Sequence, residues 1–129
     1  NLKKSKFALL PVKLDAIPST VIESILLGIP VITYKTTGMP YLNREKECVL
    51  LTEIGNIEGL ANNMLKLMND EIYANKLAQN AKEFVTRTFD NTTSAKRLLE
   101  DYKAVIAHYH NGIPIPKELL FDLNEFPNY

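Results

Sequence analysis

Hydrophobic positions along the chain form short unbroken runs near the beginning and periodic stripes in the longer second part. Short apolar runs rich in aliphatic and β-branched residues predict buried strands. Between the first two runs, the spacing of Thr20 and Glu23 predicts a helix that opens with a capping box near Ser19 or Thr20. Gly28 and Pro30 predict the end of that helix. The three strand runs are Phe7–Leu10, Val31–Tyr34 and Val49–Leu51.

Three later segments repeat apolar residues every three or four positions, a pattern typical of amphipathic helices that pack one face into a core. Asp70 is a predicted cap for the second of these helices, and Gly112 is expected to end the third. A further short helix is expected near residues 117–123, in a tail rich in proline. The stripes are Ile57, Leu60, Ala61, Met64, Leu65 and Met68 in the first helix, Leu77, Ala78, Ala81, Phe84 and Val85 in the second, and Ala95, Leu98, Leu99, Tyr102, Val105, Ile106 and Tyr109 in the third.

The order strand, helix, strand predicts a βαβ unit, in which the two strands run parallel and the crossover is right-handed. The predicted fold class is therefore α/β, with a short parallel sheet and several flanking helices. Three short strands amount to half of a Rossmann-like, doubly wound sheet, so the remaining strands are expected upstream of Asn1. Residues 1–112 are assigned to this partial domain and residues 113–129 to a C-terminal tail.

The composition is that of a globular protein, and it narrows the classes of function. Of 129 residues, 46% are hydrophobic and 23% are charged, which argues against disorder. The 15 basic and 15 acidic residues balance without a basic patch, so no nucleic-acid partner is expected. No apolar run reaches the roughly 18 residues of a membrane span. Cys48 is the single cysteine, which predicts a reducing, cytoplasmic setting, and peripheral attachment of a longer parent to the inner membrane face stays open.

The loop of residues 12–18 carries the candidate chemistry, because ligands of open parallel sheets bind beyond the carboxyl ends of the strands. This loop leads into a helix start, whose free N–H groups favour anions such as phosphate. Asp15 and Glu23 flank that start, and carboxylates accept hydrogen bonds from the paired hydroxyls of a sugar. The combination suits a nucleotide-sugar. Structural roles stay open: Glu23 as a capping-box partner, Asp15 as a solvated acid, and Ser19 and Thr20 as helix caps.

A wider stretch of the sequence resembles a known family of enzymes. Its signature is a pair of acids with seven residues between them, followed by a helix that ends in Gly-x-Pro-Val, and the chain has both. The stretch is similar to the donor-binding half of retaining GT-B glycosyltransferases, and within them to the glycosyl transferases group 1 (family four). The likeness extends over residues 5–110. The segments that carry it are Phe7–Pro11, Asp15–Glu23, Gly28–Val31 and Thr37–Pro40.

The resemblance implies a role for each residue of the candidate site. Glu23 would accept hydrogen bonds from the ribose hydroxyls of the donor nucleotide. Asp15, in place of the family's first glutamate, would meet the transferred sugar, and these two acids form the implied catalytic pair. The backbone N–H groups of Ile17, Ser19 and Thr20 would line the sugar and the diphosphate. The resemblance implies no metal and no cofactor, since the nucleotide-sugar is itself a substrate.

Three positions depart from the family pattern. Asp15 is one methylene shorter than the usual glutamate, which shortens its reach towards a sugar. Pro18 stands where a glycine is common, and it has no N–H to donate. Tyr41 stands where a glutamate is common, so no catalytic role is assigned to the loop that contains it.

Two hypotheses of different class follow. In the first, the chain is a fragment of a retaining glycosyltransferase of polysaccharide biosynthesis that binds a nucleoside-diphosphate sugar. Its partner is the missing N-terminal acceptor domain of the same parent chain, and the isolated fragment is expected to be inactive. In the second, the chain is a non-catalytic α/β binding or assembly module, in which Asp15 and Glu23 serve only the fold. An incomplete sheet has an open strand edge, which favours self-association of the fragment.

Overall fold

A computed structural model of the protein describes residues 5–120, apart from the side chain of Thr93. These residues form two compact units. The first unit ends at Thr88, and the second begins at Phe89. The first unit contains β1 (Ala8–Leu10), α1 (Ser19–Leu26), β2 (Val31–Tyr34), a 3-10 helix (Met39–Asn43), β3 (Leu50–Thr52), α2 (Ile57–Asn69) and α3 (Glu71–Thr88). The second unit contains α4 (Asn91–Asn111) and a 3-10 turn (Lys117–Leu119). Of the short helix expected over residues 117–123, Leu120 is extended and residues 121–123 lie outside the described residues.

The three strands form one parallel sheet with β2 in the centre. Ala8 of β1 is paired with Val31 of β2, and Ile32 of β2 is paired with Leu50 of β3. A parallel pair requires a crossover connection, and α1 supplies it between β1 and β2. The α/β class, the parallel sheet and the flanking helices predicted from the sequence are confirmed.

Helices cover both faces of the sheet, and β2 is buried along its whole length. Val31 faces a cluster built with α1, the 3-10 helix and α3, whereas Ile32 faces a second cluster built with α2 and α3. Successive side chains of a strand point to opposite faces, so a strand covered on both sides reads as a continuous apolar run. Thr33 is the polar exception in β2, and its hydroxyl donates to the Leu10 carbonyl oxygen at 2.7 Å.

The end of α1 confirms the role predicted for Gly28. Its φ is +76°, a left-handed conformation that glycine adopts without a steric penalty. The Gly28 N–H donates to the Ile25 carbonyl and the Ile29 N–H donates to the Ser24 carbonyl, at 2.9 and 3.0 Å. These two bonds form a Schellman motif, which satisfies carbonyls that the helix itself leaves free. Pro30 then leads the chain directly into β2.

The apolar stripe predicted for α2 is only partly correct. Leu60 and Leu67 are buried in the cluster against β2 and β3, with Met64 packed beside them. Ile57 is 76% exposed, and Leu65 and Met68 are more than half exposed. The helix carries apolar residues over a wide arc, and contact with the sheet selects the side centred on Leu60, Met64 and Leu67. The stripe predicted for α3 is confirmed, since all of its members are buried.

Taken by itself, α4 ends at the predicted residue, and it begins with a side-chain cap. The Asp90 carboxylate accepts a hydrogen bond from the Thr92 N–H at 3.0 Å, and Gly112 ends the helix with a φ of +66°. Its large apolar side chains are exposed, from 52% for Val105 to 83% for Tyr109. Among the described residues of the second unit, no element buries this stripe. Periodicity identifies an amphipathic helix but not the surface that covers it.

Asn43, at the end of the 3-10 helix, holds the entry to β3. Its side-chain oxygen accepts from the N–H groups of Cys48 and Val49 at 2.8 and 2.9 Å, and its amide nitrogen donates to the Val49 carbonyl at 2.9 Å. Cys48 is only 1% exposed, as expected for a small apolar residue in the core. Burial raises the pKa of the Cys48 thiol to about 11.

The buried thiol makes stability depend on alkaline pH. Between the ordinary pKa of 9.0 and the folded-state pKa of about 11, the unfolded chain loses the Cys48 proton while the folded chain keeps it. The unfolding free energy therefore falls as the pH rises through this range, by roughly 2–3 kcal/mol at most. We expect Cys48→Ala to remove this component, measured by denaturant unfolding below and above the range. Parallel pH profiles for the two proteins would contradict the assignment.

Candidate functional site

The loops that follow β1 and β2 meet at one edge of the sheet. β1 ends at Leu10 and β2 ends at Tyr34, and because the strands are parallel their carboxyl ends lie at the same edge. Residues 11–18 lead from β1 to α1, and residues 35–38 lead from β2 to the 3-10 helix. This edge is where open parallel sheets bind ligands, and it contains Asp15, Ile17 and the start of α1.

The predicted capping box at the start of α1 is wrong. Pro18 is the N-cap residue, with φ −60° and ψ 141°, and no side chain makes a capping hydrogen bond. Thr20 is consequently the second residue of the helix, where its hydroxyl cannot play the part of an N-cap. The proline decides the boundary, because its ring already holds the φ that a helix entry needs.

A cap without a side-chain acceptor leaves backbone donors free. The Val21 and Ile22 N–H groups donate to the Pro18 carbonyl at 3.0 and 3.4 Å. The N–H groups of Ile17, Ser19 and Thr20 meet no acceptor among the described residues. Free N–H groups at the positive end of a helix dipole form an environment that favours an anion. These are the three amides to which the family resemblance assigned a binding role.

Glu23 is exposed and lines a groove beside β1. The groove has a volume of about 320 Å³, and Thr20 contributes to the same wall. Within residues 5–120 the Glu23 carboxylate makes no hydrogen bond and no ion pair, and the capping-box role that was left open for it does not exist. The groove is lined by Ser5, Phe7, Ala8, Leu9, Leu10, Thr20, Glu23, Ser24 and Leu27.

Asp15 lies in the exposed loop before α1 and does not line this groove. Its backbone carbonyl accepts a hydrogen bond from the Thr37 hydroxyl at 3.0 Å, while its carboxylate has no partner in the described part of the chain. Thr20 and Glu23 are thus brought together on one surface. Ile17 and Ser19 belong to the helix start, outside the groove lining, and no contact joins Asp15 to Glu23 among the described residues.

Sequence reasoning missed the contact between the two loops. A Cβ atom built on Gly38 would overlap the carbonyl oxygen of Ala16 and would lie 3.0 Å from Ile17 Cγ1. Gly38 therefore permits the close approach of residues 35–38 to residues 15–17, and Thr37 adds its hydrogen bond next to it. A glycine in a predicted loop was the only signal, and it does not say which backbone approaches it.

A separate charged cluster joins the 3-10 helix and the residues after it to α3. Arg44 stacks over the rings of Tyr41 and Phe84, at 4.4 and 5.3 Å from the ring centroids. Glu45 accepts from Arg87 at 2.6 Å, and this hydrogen bond lowers the pKa of the Glu45 carboxyl below its ordinary value. Tyr41 is thereby used in packing against Phe84, with the two rings edge to face at 5.9 Å.

Residues 5–120 hold no group of three or more histidine, cysteine, aspartate or glutamate side chains placed to bind a metal ion. His108 instead lies next to the Ile113 carbonyl, with its Nδ1 at 3.0 Å from that oxygen. None of the helices in the same range combines the length and the apolar character needed to cross a membrane.

The residues at this edge of the sheet lie in a segment that matches a known protein family. The sequence model of the family described as glycosyl transferases group 1 matches residues 1–84, which is more than half of the chain. The chain belongs to this family. The match includes both loops of the candidate edge and the whole of α1, and it ends within α3. No curated protein matches the chain.

Membership of the group 1 glycosyltransferases gives the chemistry in general terms. The reaction is transfer of a glycosyl group, and its substrates are a nucleotide-sugar donor and an acceptor. The groove, Glu23 and the free amides of α1 all lie inside the matched segment. The helix α4 lies outside it.

A stability measurement separates a structural role of Glu23 from a binding role. We expect Glu23→Ala to change the unfolding free energy by no more than about 0.5 kcal/mol, because within residues 5–120 the carboxylate has no partner to lose. Asn43→Ala is the matched control, since it strips the acceptor from two backbone N–H groups and is expected to cost about 2 kcal/mol. A loss for Glu23→Ala as large as that of the control, in denaturant unfolding, would indicate a structural role.

Proposed function

We propose that this group 1 glycosyltransferase chain is the donor-binding, C-terminal part of a retaining GT-B enzyme of family four. The observation that carries the proposal is the state of Glu23. Its carboxylate is unpartnered among the described residues and exposed on a groove wall, one helical turn from free backbone amides. A glutamate in a capping box would accept a hydrogen bond from a backbone N–H, and Glu23 accepts none among the described residues.

The donor would bind with its diphosphate at the start of α1. The N–H groups of Ile17, Ser19 and Thr20 would donate to phosphate oxygens and to the sugar, helped by the positive end of the helix dipole. Glu23 would accept hydrogen bonds from the ribose hydroxyls, which are donors that a carboxylate can pair two at a time. Asp15 would meet the transferred sugar from the neighbouring loop.

The same groups would act in the transfer step. As the bond between the anomeric carbon and the diphosphate breaks, negative charge grows on the diphosphate, and preorganised N–H donors stabilise that charge. The acceptor hydroxyl oxygen forms the new bond on the same face of the sugar and its proton passes to the departing diphosphate, so the anomeric configuration is retained. No metal or cofactor takes part in this proposal, and the contribution of the chain is positional and electrostatic.

The rest of the catalytic apparatus would come from the parent protein. We place residues 1–112 in the donor-binding domain and residues 113–129 in a C-terminal tail. An N-terminal domain of the same parent would bind the acceptor, and basic residues from that parent would hold the leaving diphosphate. Such an enzyme would act in the cytoplasm in polysaccharide biosynthesis. We propose no nucleic-acid partner for this enzyme.

The alternative, a non-catalytic α/β module, assigns Asp15 and Glu23 to the fold alone. The structure offers neither carboxylate a hydrogen bond or an ion pair within residues 5–120. Family membership also favours the enzyme, because the matched segment contains both acids. We therefore retain the enzyme as the proposal and the module as an outcome of the binding test.

Nucleotide-sugar binding tests the role of Glu23. In the complete enzyme, Glu23→Ala should weaken binding of the donor by about 1–3 kcal/mol, or roughly 5- to 150-fold in dissociation constant, through loss of hydrogen bonds to a charged group. UDP-glucose, GDP-mannose and ADP-glucose serve as probes in titration calorimetry. Glu58→Ala, which removes an exposed glutamate in the first turn of α2, is the control and should bind normally. Equal binding by both variants would favour the non-catalytic module.

The free edge of β1 leads to a second prediction. Within the described residues β1 is paired with β2 alone, and the groove beside Glu23 runs along its other edge. Unpaired strand edges and the apolar surface beside them promote association. We expect the 129-residue chain to form dimers or larger species as its concentration rises, measured by light scattering. A monodisperse monomer at high concentration would contradict this expectation.

A further inference from the structure

We propose that Thr37 and Gly38 are positioning residues, which hold the backbone of residues 15–17 in the place from which Asp15 meets the transferred sugar. The inference deepens the proposed function and rests on it for the role of Asp15. In the sequence, Thr37 and Gly38 belong to a segment that carries the family resemblance, and no catalytic role was assigned to that loop.

The loop before α1 has little else to hold it. Its first bond is made at the end of β1, where the Val12 N–H donates to the Leu10 carbonyl at 2.8 Å. From Lys13 to Ile17 no backbone group is bonded to another backbone group among the described residues. Leu14 is 90% exposed, so it supplies no anchor in the core. The remaining restraints are the packing of Ile17 against the core cluster and the contacts made by residues 37 and 38.

The loop after β2 is, by contrast, firmly bonded. The Lys35 N–H donates to the Thr52 carbonyl at 2.8 Å, which continues the sheet for one more residue. The Met39 N–H donates to the Thr36 carbonyl at 3.1 Å, and the Met39 side chain is fully buried. The well-bonded residues 35–38 therefore lie directly against the sparsely bonded residues 15–17, and their contacts restrain the position of residues 15–17.

Two contacts of different kind make the connection. The Thr37 hydroxyl donates to the Asp15 carbonyl oxygen at 3.0 Å, on the same residue whose carboxylate is assigned to the sugar. Gly38 abuts the backbone of Ala16, with a built Cβ only 2.6 Å from the Ala16 carbonyl carbon. Gly38 has φ −97° and ψ −14°, which any residue adopts, so the absent side chain matters for the close approach and not for the backbone conformation.

The two positions should therefore respond differently to substitution. Thr37→Val keeps the shape of the side chain and removes its hydrogen bond, whereas Thr37→Ser keeps the hydroxyl. Gly38→Ala leaves the local backbone unstrained but forces residues 15–17 away. Gly28→Ala is the matched control, because it strains a left-handed residue at the far end of α1 and adds no new contact.

The first measurement is ¹⁵N relaxation at the amides of residues 15–17 in the 129-residue chain, which reports fast backbone motion without any ligand. We expect lower order parameters in Thr37→Val, recovery in Thr37→Ser, shifted resonances in Gly38→Ala, and neither change in Gly28→Ala. Unchanged order parameters and resonances in both Thr37→Val and Gly38→Ala would overturn the proposal.

The second measurement is kinetic and uses the complete enzyme with UDP-glucose, GDP-mannose and ADP-glucose. Thr37→Val should raise KM for the accepted donor about three- to tenfold, because one hydrogen bond that holds the loop is lost. The acceptor KM and the melting temperature should stay unchanged. Thr37→Ser should restore the donor KM, and Gly28→Ala should lower the melting temperature alone. A loosened loop with a normal donor KM would overturn the positioning role. If the unaltered enzyme uses none of the donors, the proposed function fails, and the contact between the loops is judged by relaxation alone.

Discussion

Both edges of β2 carry a parallel partner and both of its faces are buried, and the remainder of the first unit is organised around this strand. Parallel pairing obliges α1 to cross from one end of the sheet to the other, so the start of α1 comes to the edge where β1 and β2 end. The same pairing places residues 35–38 beside residues 15–17. The candidate site is therefore a consequence of how β2 is paired, since neither of its loops could adopt this arrangement alone.

The start of α1 shows a balance between helix stability and available donors. A side chain at the N-cap usually stabilises a helix by about 1 kcal/mol, and Pro18 forgoes that contribution. The proline still sets a φ suited to helix entry, which offsets part of the cost by restricting the unfolded chain. What remains is a helix start whose first amides meet no acceptor among the described residues. The Schellman motif at Gly28 secures the other end of the same helix.

The two loops at this edge differ in how firmly they are bonded to the rest of the first unit. Residues 35–38 are tied to β3 and to the buried Met39, so their position follows from the core. Residues 15–17 depend on Ile17 and on the contact with Thr37 and Gly38. An exposed loop can in this way hold Asp15 in place with only the half-buried Ile17 packed against the core. Binding groups in α/β proteins are commonly placed on such loops and positioned by the rigid elements beneath them.

Local chemistry in the sequence determined the three strands, the parallel βαβ order, the end of α1 at Gly28 and the candidate acids Asp15 and Glu23. These features depend on residues close together in the chain, such as a β-branched run or a glycine that accepts a positive φ. The predicted capping box is wrong because Pro18 and the Thr20–Glu23 spacing indicate two different N-caps for one helix, and the structure adopts Pro18. The buried side of α2 and the approach of Gly38 to Ala16 were decided only by the tertiary structure. Both arise from packing between segments distant in sequence, and an apolar stripe or a loop glycine does not specify its partner.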